Sequence, residues 1–191
     1  MSSGLLAYAF WHWKRESVSR ENYEASQCAF QEALAAEPPQ GFLRATTVRL
    51  AGAGWAASGA TAYEDWYLVD DMAALGRLND AAVTGGRQAP HDAVARLAAG
   101  GIAGLYGCYA GNPLPLPQFA SWFGKPEGMS YAALRSALRP LLEQARGALW
   151  SRRMTLGPTP EFCLHSMTPV ELPSGFQAQR LALEPVWQGP G

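Results

Sequence analysis

Cysteine is scarce in this sequence: Cys28, Cys108 and Cys163 are its only three, widely separated and odd in number. No C-x-x-C pair occurs, which argues against a disulfide framework and a zinc knuckle and fits a reducing compartment. Net charge is also small, −1 at pH 7. Residues 1–111 carry 8 basic and 11 acidic side chains and residues 112–191 carry 7 and 5, so the contrast is only −3 against +2. That is too mild to attract nucleic acid or an anionic membrane surface. Long apolar runs are missing too. The strongest late one, Leu97–Ala110, is too short and too rich in glycine to span a bilayer. The N-terminal stretch MSSGLLAYAFWHWK has no basic n-region and no small-residue cleavage site, so it reads as mature sequence. A cytoplasmic protein is the expectation. No G-x-S-x-G, P-loop, H-E-x-x-H or dinucleotide fingerprint is present, which leaves those chemistries without support.

The sequence does have apolar and aromatic mass. With 48% hydrophobic residues it can bury a substantial core, so disorder is not its main state. It also carries a repeat. WHWKRESVS at Trp11–Ser19 returns as WFGKPEGMS at Trp122–Ser130, with Trp11, Lys14, Glu16 and Ser19 matched by Trp122, Lys125, Glu127 and Ser130. Each copy follows a strand-like run and precedes an amphipathic helical run, the mark of a duplicated strand–turn–helix unit.

Periodicity then gives an element order. Leu5–Trp13 reads as a buried strand with Tyr8, Phe10 and His12 on one face. Ser19 caps a helix to about Ala36 with Tyr23, Gln27, Phe30 and Leu34 at helical spacing. Phe42–Ala51 and Ala62–Val69 form a hairpin, joined through the small-residue stretch Gly52–Gly59. A helix capped by Asp70 or Asp71 follows, then a second helical piece from near Pro90 that stops at Gly100–Gly101, then a strand over Ile102–Ala110. The order β-α-β-β-α-β is the ferredoxin-like pattern. NPLPLP at residues 112–117 is a stiff linker. Beyond it come a strand at Gln118–Phe123, a helix capped by Ser130 that Pro140 should kink or split, a hairpin over Leu149–Leu156 and Phe162–Met167, and a closing strand at Leu181–Trp187. TPVELPSG shows no periodicity where a second helix belongs. The expectation is therefore an α+β chain with a ferredoxin-like module at 1–111, a linker at 112–117 and a reduced module at 118–191 that lacks its second helix.

The block YEDWYLVDDMAALGRLNDAAV and PHDAVARLAAGGIAGLYGCYAG, within Ala62–Gly111, resembles the dimeric α+β barrel superfamily of ferredoxin-like domains. The likeness lies in a Trp/Tyr-bearing third strand, a D-x-x-A-L-x-x-L helix and a glycine-rich last strand. It implies two antiparallel sheets packed face to face as a barrel, within the chain or across a homodimer, with small molecules held between sheet and helices. The superfamily includes cofactor-independent monooxygenases, haem-binding dismutases and peroxidases, muconolactone isomerase-like enzymes and stress proteins. A homodimer is the expected assembly.

Several residues invite a chemical reading. His12, among aromatics on its strand, can serve as a general base, a proton shuttle or a ligand, or simply as a hydrogen-bonded strand histidine. Tyr8, Tyr63, Trp66, Tyr67 and Asn79 can shape a pocket for a planar or aromatic compound, although aromatics also dominate plain cores. Cys163 and His165 alternate on one strand and could both reach a metal, but no further ligands lie nearby, so no metal site is expected. His91 beside Asp92 reads as a helix-start element. Arg44, Arg49, Arg152 and Arg153 could meet haem propionates, yet none of the histidines sits in a helix interior, and a cofactor-free pocket ranks above haem. The repeated Lys/Glu pairs read as solvated turns. The functional expectation is a cofactor-independent oxygenase or isomerase acting on a small apolar or aromatic compound. The alternatives are a non-catalytic ligand-binding or stress-related dimeric protein, and a fold whose sheet faces serve only dimerisation.

Overall fold

In a computed structural model, which describes residues 4–55, 61–113, 116–154 and 158–189, both copies of the repeat begin with a strand and turn into a capped helix. Strand β1 (Leu6–Lys14) leads to helix α1 (Arg20–Ala36), where the Ser19 side chain accepts a hydrogen bond from the Asn22 N–H at 3.2 Å. In the second copy β5 (Phe119–Phe123) leads to α4 (Tyr131–Ala145), and Ser130 accepts from Ala133 N–H at 3.1 Å. The two serines occupy orphan helix N–H groups in the same way. The first module continues with β2 (Phe42–Leu50), β3 (Ala62–Val69), α2 (Met72–Ala82), a 3-10 turn at Gly85–Arg87, α3 (Gln88–Leu97) and β4 (Ala98–Gly111). The second continues with β6 (Ala148–Met154), β7 (Phe162–Ser166) and β8 (Ala178–Gln188), with no helix between β7 and β8.

These eight strands close into one antiparallel barrel in the order β1-β3-β2-β8-β5-β7-β6-β4. Each half runs fourth-first-third-second, as a ferredoxin-like sheet does, and the halves meet where β2 pairs with β8 and β4 with β6. One chain thus supplies both sheets. Barrel closure removes sheet edges, so no strand is left to recruit a foreign one. Two residues of the linker, 114 and 115, and part of the Gly52–Gly59 stretch lie outside the described residues.

Alternation sorts the strand side chains. Ala7, Ala9 and Trp11 point into the barrel together with Leu50, Trp66, Leu68, Tyr106, Trp122 and Trp150, all within 6% of full burial. The repeated tryptophans meet at the centre: the Trp11 and Trp122 rings lie 5.3 Å apart at 71°, and Tyr106 packs edge-on against both. Such edge-to-face geometry suits the ring quadrupoles. The outer sheet faces carry two further cores, one under α1, α2 and α3 and one under α4. In the second, Val170, Leu172 and Phe176 of the irregular 167–177 stretch cover the sheet where the missing helix would lie.

Two local expectations are corrected. Gly100–Gly101 does not end a helix: α3 stops at Leu97, and both glycines belong to β4. A Cβ at Gly100 would stand 2.8 Å from the Trp13 ring and one at Gly101 2.5 Å from the Phe10 ring, so these positions seat aromatic side chains of β1. Helix α4 also runs unbroken through Pro140, and its buried stripe is Leu134, Leu138, Leu142 and Ala145, with Tyr131 exposed. Its end is tighter. Arg146 takes a left-handed conformation at φ 50°, and a Cβ at the following Gly147 would lie 2.0 Å from the His165 carbonyl oxygen. Backbone cannot move aside as a side-chain tip can. Gly147→Ala is therefore expected to cost about 1–3 kcal/mol of stability, read as a lowered urea midpoint.

Candidate functional site

Between the outer face of the first sheet and its helices lies a cleft of about 740 Å³. Its floor comes from Tyr8 and Phe10 of β1 and Asp65 and Tyr67 of β3; α1 contributes Tyr23, Gln27, Phe30 and Leu34; α2 and α3 close the far side with residues that include Leu75, Asn79, His91 and Val94. A volume of this size, mostly apolar with a few convergent polar groups, suits a small organic molecule.

The polar groups form a connected set at the floor. The Tyr23 hydroxyl lies 2.7 Å from His12 Nδ1, and Gln27 Nε2 lies 3.4 Å from the same nitrogen. Both neighbours can donate, which assigns Nδ1 as an acceptor and puts the imidazole proton on Nε2. His12 Nε2 faces Asp65 Oδ2 at 3.4 Å, an ion-pair distance without hydrogen-bond alignment. The Asp65 carboxylate accepts from Thr47 Oγ1 at 2.6 Å and from the Tyr67 hydroxyl at 2.9 Å, and Gln31 Nε2 donates to both of those oxygens, at 3.1 Å and 3.0 Å. His12, Gln31, Thr47 and Asp65 are all at least 98% buried. Burial pushes the Tyr23 and Tyr67 phenols well up, with the nearby Asp65 charge acting in the same direction, so both keep their protons. His12 is also sandwiched by rings, 5.1 Å from Phe10 and 5.6 Å from Tyr63, which fixes its plane.

The second module supplies an internal comparison. At the repeat's offset of 111 residues, His12, Tyr23, Gln27 and Gln31 correspond to Phe123, Leu134, Leu138 and Leu142. Strand register extends the match. His12 pairs with Tyr63 as Phe123 pairs with Phe162, and Phe10 pairs with Asp65 as Ser121 pairs with Leu164. Thr47 opposite Asp65 likewise becomes Leu149 opposite Leu164. Seven polar residues are replaced by seven apolar ones, and all seven are buried in the core under α4. The same sheet–helix joint is thus packed with hydrocarbon in one half and with a hydrogen-bonded network beside a cleft in the other.

The residues singled out in the sequence divide between compartments. Tyr8, Tyr67 and Asn79 line the cleft. His12 lies directly behind its floor, and Tyr63 stacks on His12 while donating its hydroxyl to Glu24 at 3.1 Å. Trp66 is on the opposite face of β3, inside the barrel against Trp150 and His165. Sequence reading passed over Asp65, Tyr23, Gln27 and Thr47 as site residues. The available signal was a carboxylate alternating with Tyr63 and Tyr67, together with the polar-to-apolar exchange between the two copies. His91 is no helix cap: it is the fourth residue of α3 and faces the cleft beside Phe30.

Haem, which the superfamily resemblance allows, does not suit this cleft. Its described lining carries Asp65 and Asp80 but no lysine or arginine to meet propionates, and its one imidazole, His91, is held at 3.1 Å by Asp92. Among the described residues no cluster of three or more His, Cys, Asp or Glu could hold a metal ion, and no helix is long and apolar enough to cross a membrane.

The barrel interior holds its own titratable pair. Trp11 Nε1 donates to Glu64 Oε2 at 2.6 Å, and burial pushes the Glu64 carboxyl up to about 8 against that hydrogen bond. Burial, with help from the Arg44 charge, pushes the His165 imidazole down to about 3. Between its unfolded value of 4.5 and 8, native Glu64 keeps a proton that the unfolded chain has lost, so stability falls as pH rises through that window. Between 6.5 and 3 the unfolded chain binds a proton that native His165 refuses, so stability falls as pH drops. The two slopes oppose each other where the windows overlap. Glu64→Gln is expected to abolish the decline from neutral pH toward 8, read by urea midpoints across pH for both proteins.

No protein-family model matches the sequence, and no curated protein matches it. Solved structures do match the fold. A monooxygenase-like protein from Fusobacterium nucleatum superposes with TM-score 0.70 at 8% identity, covering 99% of this chain and 95% of that one. A monooxygenase-like protein from Lactobacillus acidophilus gives TM-score 0.65 at 9% identity over 96% and 95%. An anthrone oxidase-like protein gives 0.55 at 9% over 88% and 76%. At such identities the likeness speaks for architecture, not chemistry. The chain has a ferredoxin-like α+β barrel fold, with both halves of the barrel on one polypeptide.

Proposed function

We propose that the first-module cleft binds a small planar aromatic or enolisable compound and removes a proton from it, through Tyr23, His12 and Asp65, without a cofactor. The observation that supports this best is the internal comparison: the duplicate half packs the same joint with Phe123, Leu134 and Leu164, so packing alone does not require the polar set. In this reading the substrate's acidic O–H or C–H gives its proton to the Tyr23 oxygen as Tyr23 passes its own to His12 Nδ1. The imidazolium is balanced by Asp65, which Thr47 and Tyr67 hold in place. The electron pair stays on the substrate. With no lysine or arginine in the described lining, the anion must be delocalised and met by neutral donors such as the Gln27 amide and the Tyr8 hydroxyl.

Such an anion has two outcomes. Reprotonation at another carbon is an isomerisation. Reaction with molecular oxygen converts a CH2 flanked by aromatic rings into C=O with release of water, an overall balanced oxygenation that needs no bound metal. The monooxygenase-like and anthrone oxidase-like structural neighbours favour the second. Oxygen uptake with anthrone as probe, followed alongside its absorbance, tests the reading; no saturable uptake and no saturable binding would overturn it. We also infer that self-association into a homodimer uses outer helix and loop surfaces, because both sheet faces are already covered within one chain. Native mass spectrometry reads that directly.

A further inference from the structure

Glycine is the poorest helix former after proline, because it surrenders the most backbone freedom and brings no side chain to pack. Helices α1, α3 and α4 carry none. Helix α2 carries one, Gly76, in the middle of its 11 residues. Two structural needs hold a glycine in place, and Gly76 has neither. Its φ lies outside the left-handed region, and a Cβ built on it would meet no atom within 4 Å beyond its own stretch of helix. Nearby glycines differ. Gly100, which also lines the cleft, seats the Trp13 ring, and a Cβ on Gly41, where α2 docks, would stand 2.6 Å from Ala74 Cβ. Close approach accounts for glycine at 41 and 100 but not at 76.

What Gly76 does border is the cleft. Met72, Gly76, Asn79 and Val83 follow one another at helical spacing along α2, and all four line it. Met72 is 55% exposed and Val83 44%, so this wall shows apolar side chains to open space on either side of a position that has none. Packing on the sheet falls to Ala74 and Leu78, the buried residues of the helix. No helix lies between β7 and β8, so the half of the barrel that is packed with hydrocarbon does without this wall.

Given the proton removal proposed for this cleft, we infer that Gly76 sets the width of ligand the cleft accepts. Its missing side chain is a notch in the α2 wall, and the outer ring of a three-ring planar compound lies in it while the acidic position faces Tyr23. A two-ring compound reaches Tyr23 without entering the notch. Equilibrium dialysis under argon, which keeps the probe from being oxidised, compares anthrone with the two-ring ketone 2-tetralone. Gly76→Leu introduces a good helix former that fills the notch; it raises the anthrone Kd about tenfold or more and the 2-tetralone Kd less than about twofold. Ala73→Leu adds similar bulk at an exposed α2 position outside the lining and leaves both affinities unchanged. Gly76→Ala weakens anthrone less than Gly76→Leu does and raises the melting temperature by about 1–4 °C. A lowered melting temperature in Gly76→Ala overturns the inference, because the glycine would then serve the fold. So does unchanged anthrone binding in Gly76→Leu, an equal loss for both probes, or the same loss in Ala73→Leu. A parent protein that binds anthrone under argon yet does not turn it over in air separates the two readings: proton removal fails, and the variants still decide the notch. No saturable binding of either probe by the parent overturns both.

Discussion

Tyr23→Phe, His12→Gln and Asp65→Asn are each expected to slow proton removal from a bound aromatic carbon acid by about 10²–10⁴-fold, with probe affinity changed far less. The three act in series, so pairs of substitutions should cost little more than the worst single one. Stopped-flow absorbance of the bound probe reports the proton step, and equilibrium fluorescence of the same variants reports binding. Equal losses in binding and rate would instead make the set a plain ligand contact. A merely structural role has its own signature. Here the second module provides the control: installing its residues, as His12→Phe, Tyr23→Leu, Gln27→Leu, Gln31→Leu, Thr47→Leu, Tyr63→Phe and Asp65→Leu together, should leave a folded protein at least as stable as the original and without activity. Replacing a buried polar cluster by well-packed hydrocarbon is commonly neutral or stabilising, and Phe123, Leu134, Leu138 and Leu164 already demonstrate such packing in this fold. A sevenfold variant that fails to fold would show that the network carries the first module's stability.

The second large effect concerns the barrel core. Trp11→Ala is expected to cost about 3–5 kcal/mol, which for a chain of this length lowers the melting temperature by roughly 10 °C. Trp11 is fully buried and its ring touches Trp55, Tyr106 and Trp122, so truncation opens a large void at the centre of both halves. It also removes the only hydrogen bond seen to Glu64 among the described residues, leaving a buried carboxyl unpaired. Trp11→Phe separates the terms. It keeps most of the ring packing, loses the N–H, and should cost about 1–3 kcal/mol. Thermal melts at pH 6, where Glu64 is protonated, compare the two variants; equal stability of Trp11→Ala and the parent would mean the barrel centre is not where the fold is held.

Much of this architecture was legible before any coordinates. Local chemistry writes itself into sequence: Ser19 and Ser130 cap their helices as read, Ala62–Val69 is a strand, and the missing helix after β7 is missing. The glycine pair at 100–101 misled because glycine signals a helix stop and a close approach equally well. Only the positions of the Trp13 and Phe10 rings distinguish the two. Pro140 misled because a helix can carry one proline where its neighbours hold it in place.

The site divides the same way. His12 was visible as an odd polar residue on an aromatic strand, and Tyr8, Tyr67 and Asn79 were placed near a pocket from the element order. Asp65 carries no local signature of a site residue, because its role depends on Thr47 eighteen positions away in sequence and on Gln31 reaching across from α1, contacts that only strand register and helix docking create. Trp66 was grouped with Tyr63 and Tyr67 by proximity in sequence, although a strand's period of two sends it to the other side of the sheet. By itself, then, the sequence determined the elements, the duplication and the aromatic wealth of the core, all of which follow from local propensity and spacing. The tertiary structure decided that the barrel closes within one chain, that the first module keeps a cleft between sheet and helices, and that His12, Tyr23 and Asp65 meet beside it. Those are long-range facts, set by which faces meet when apolar surface is buried from both sides of one continuous sheet.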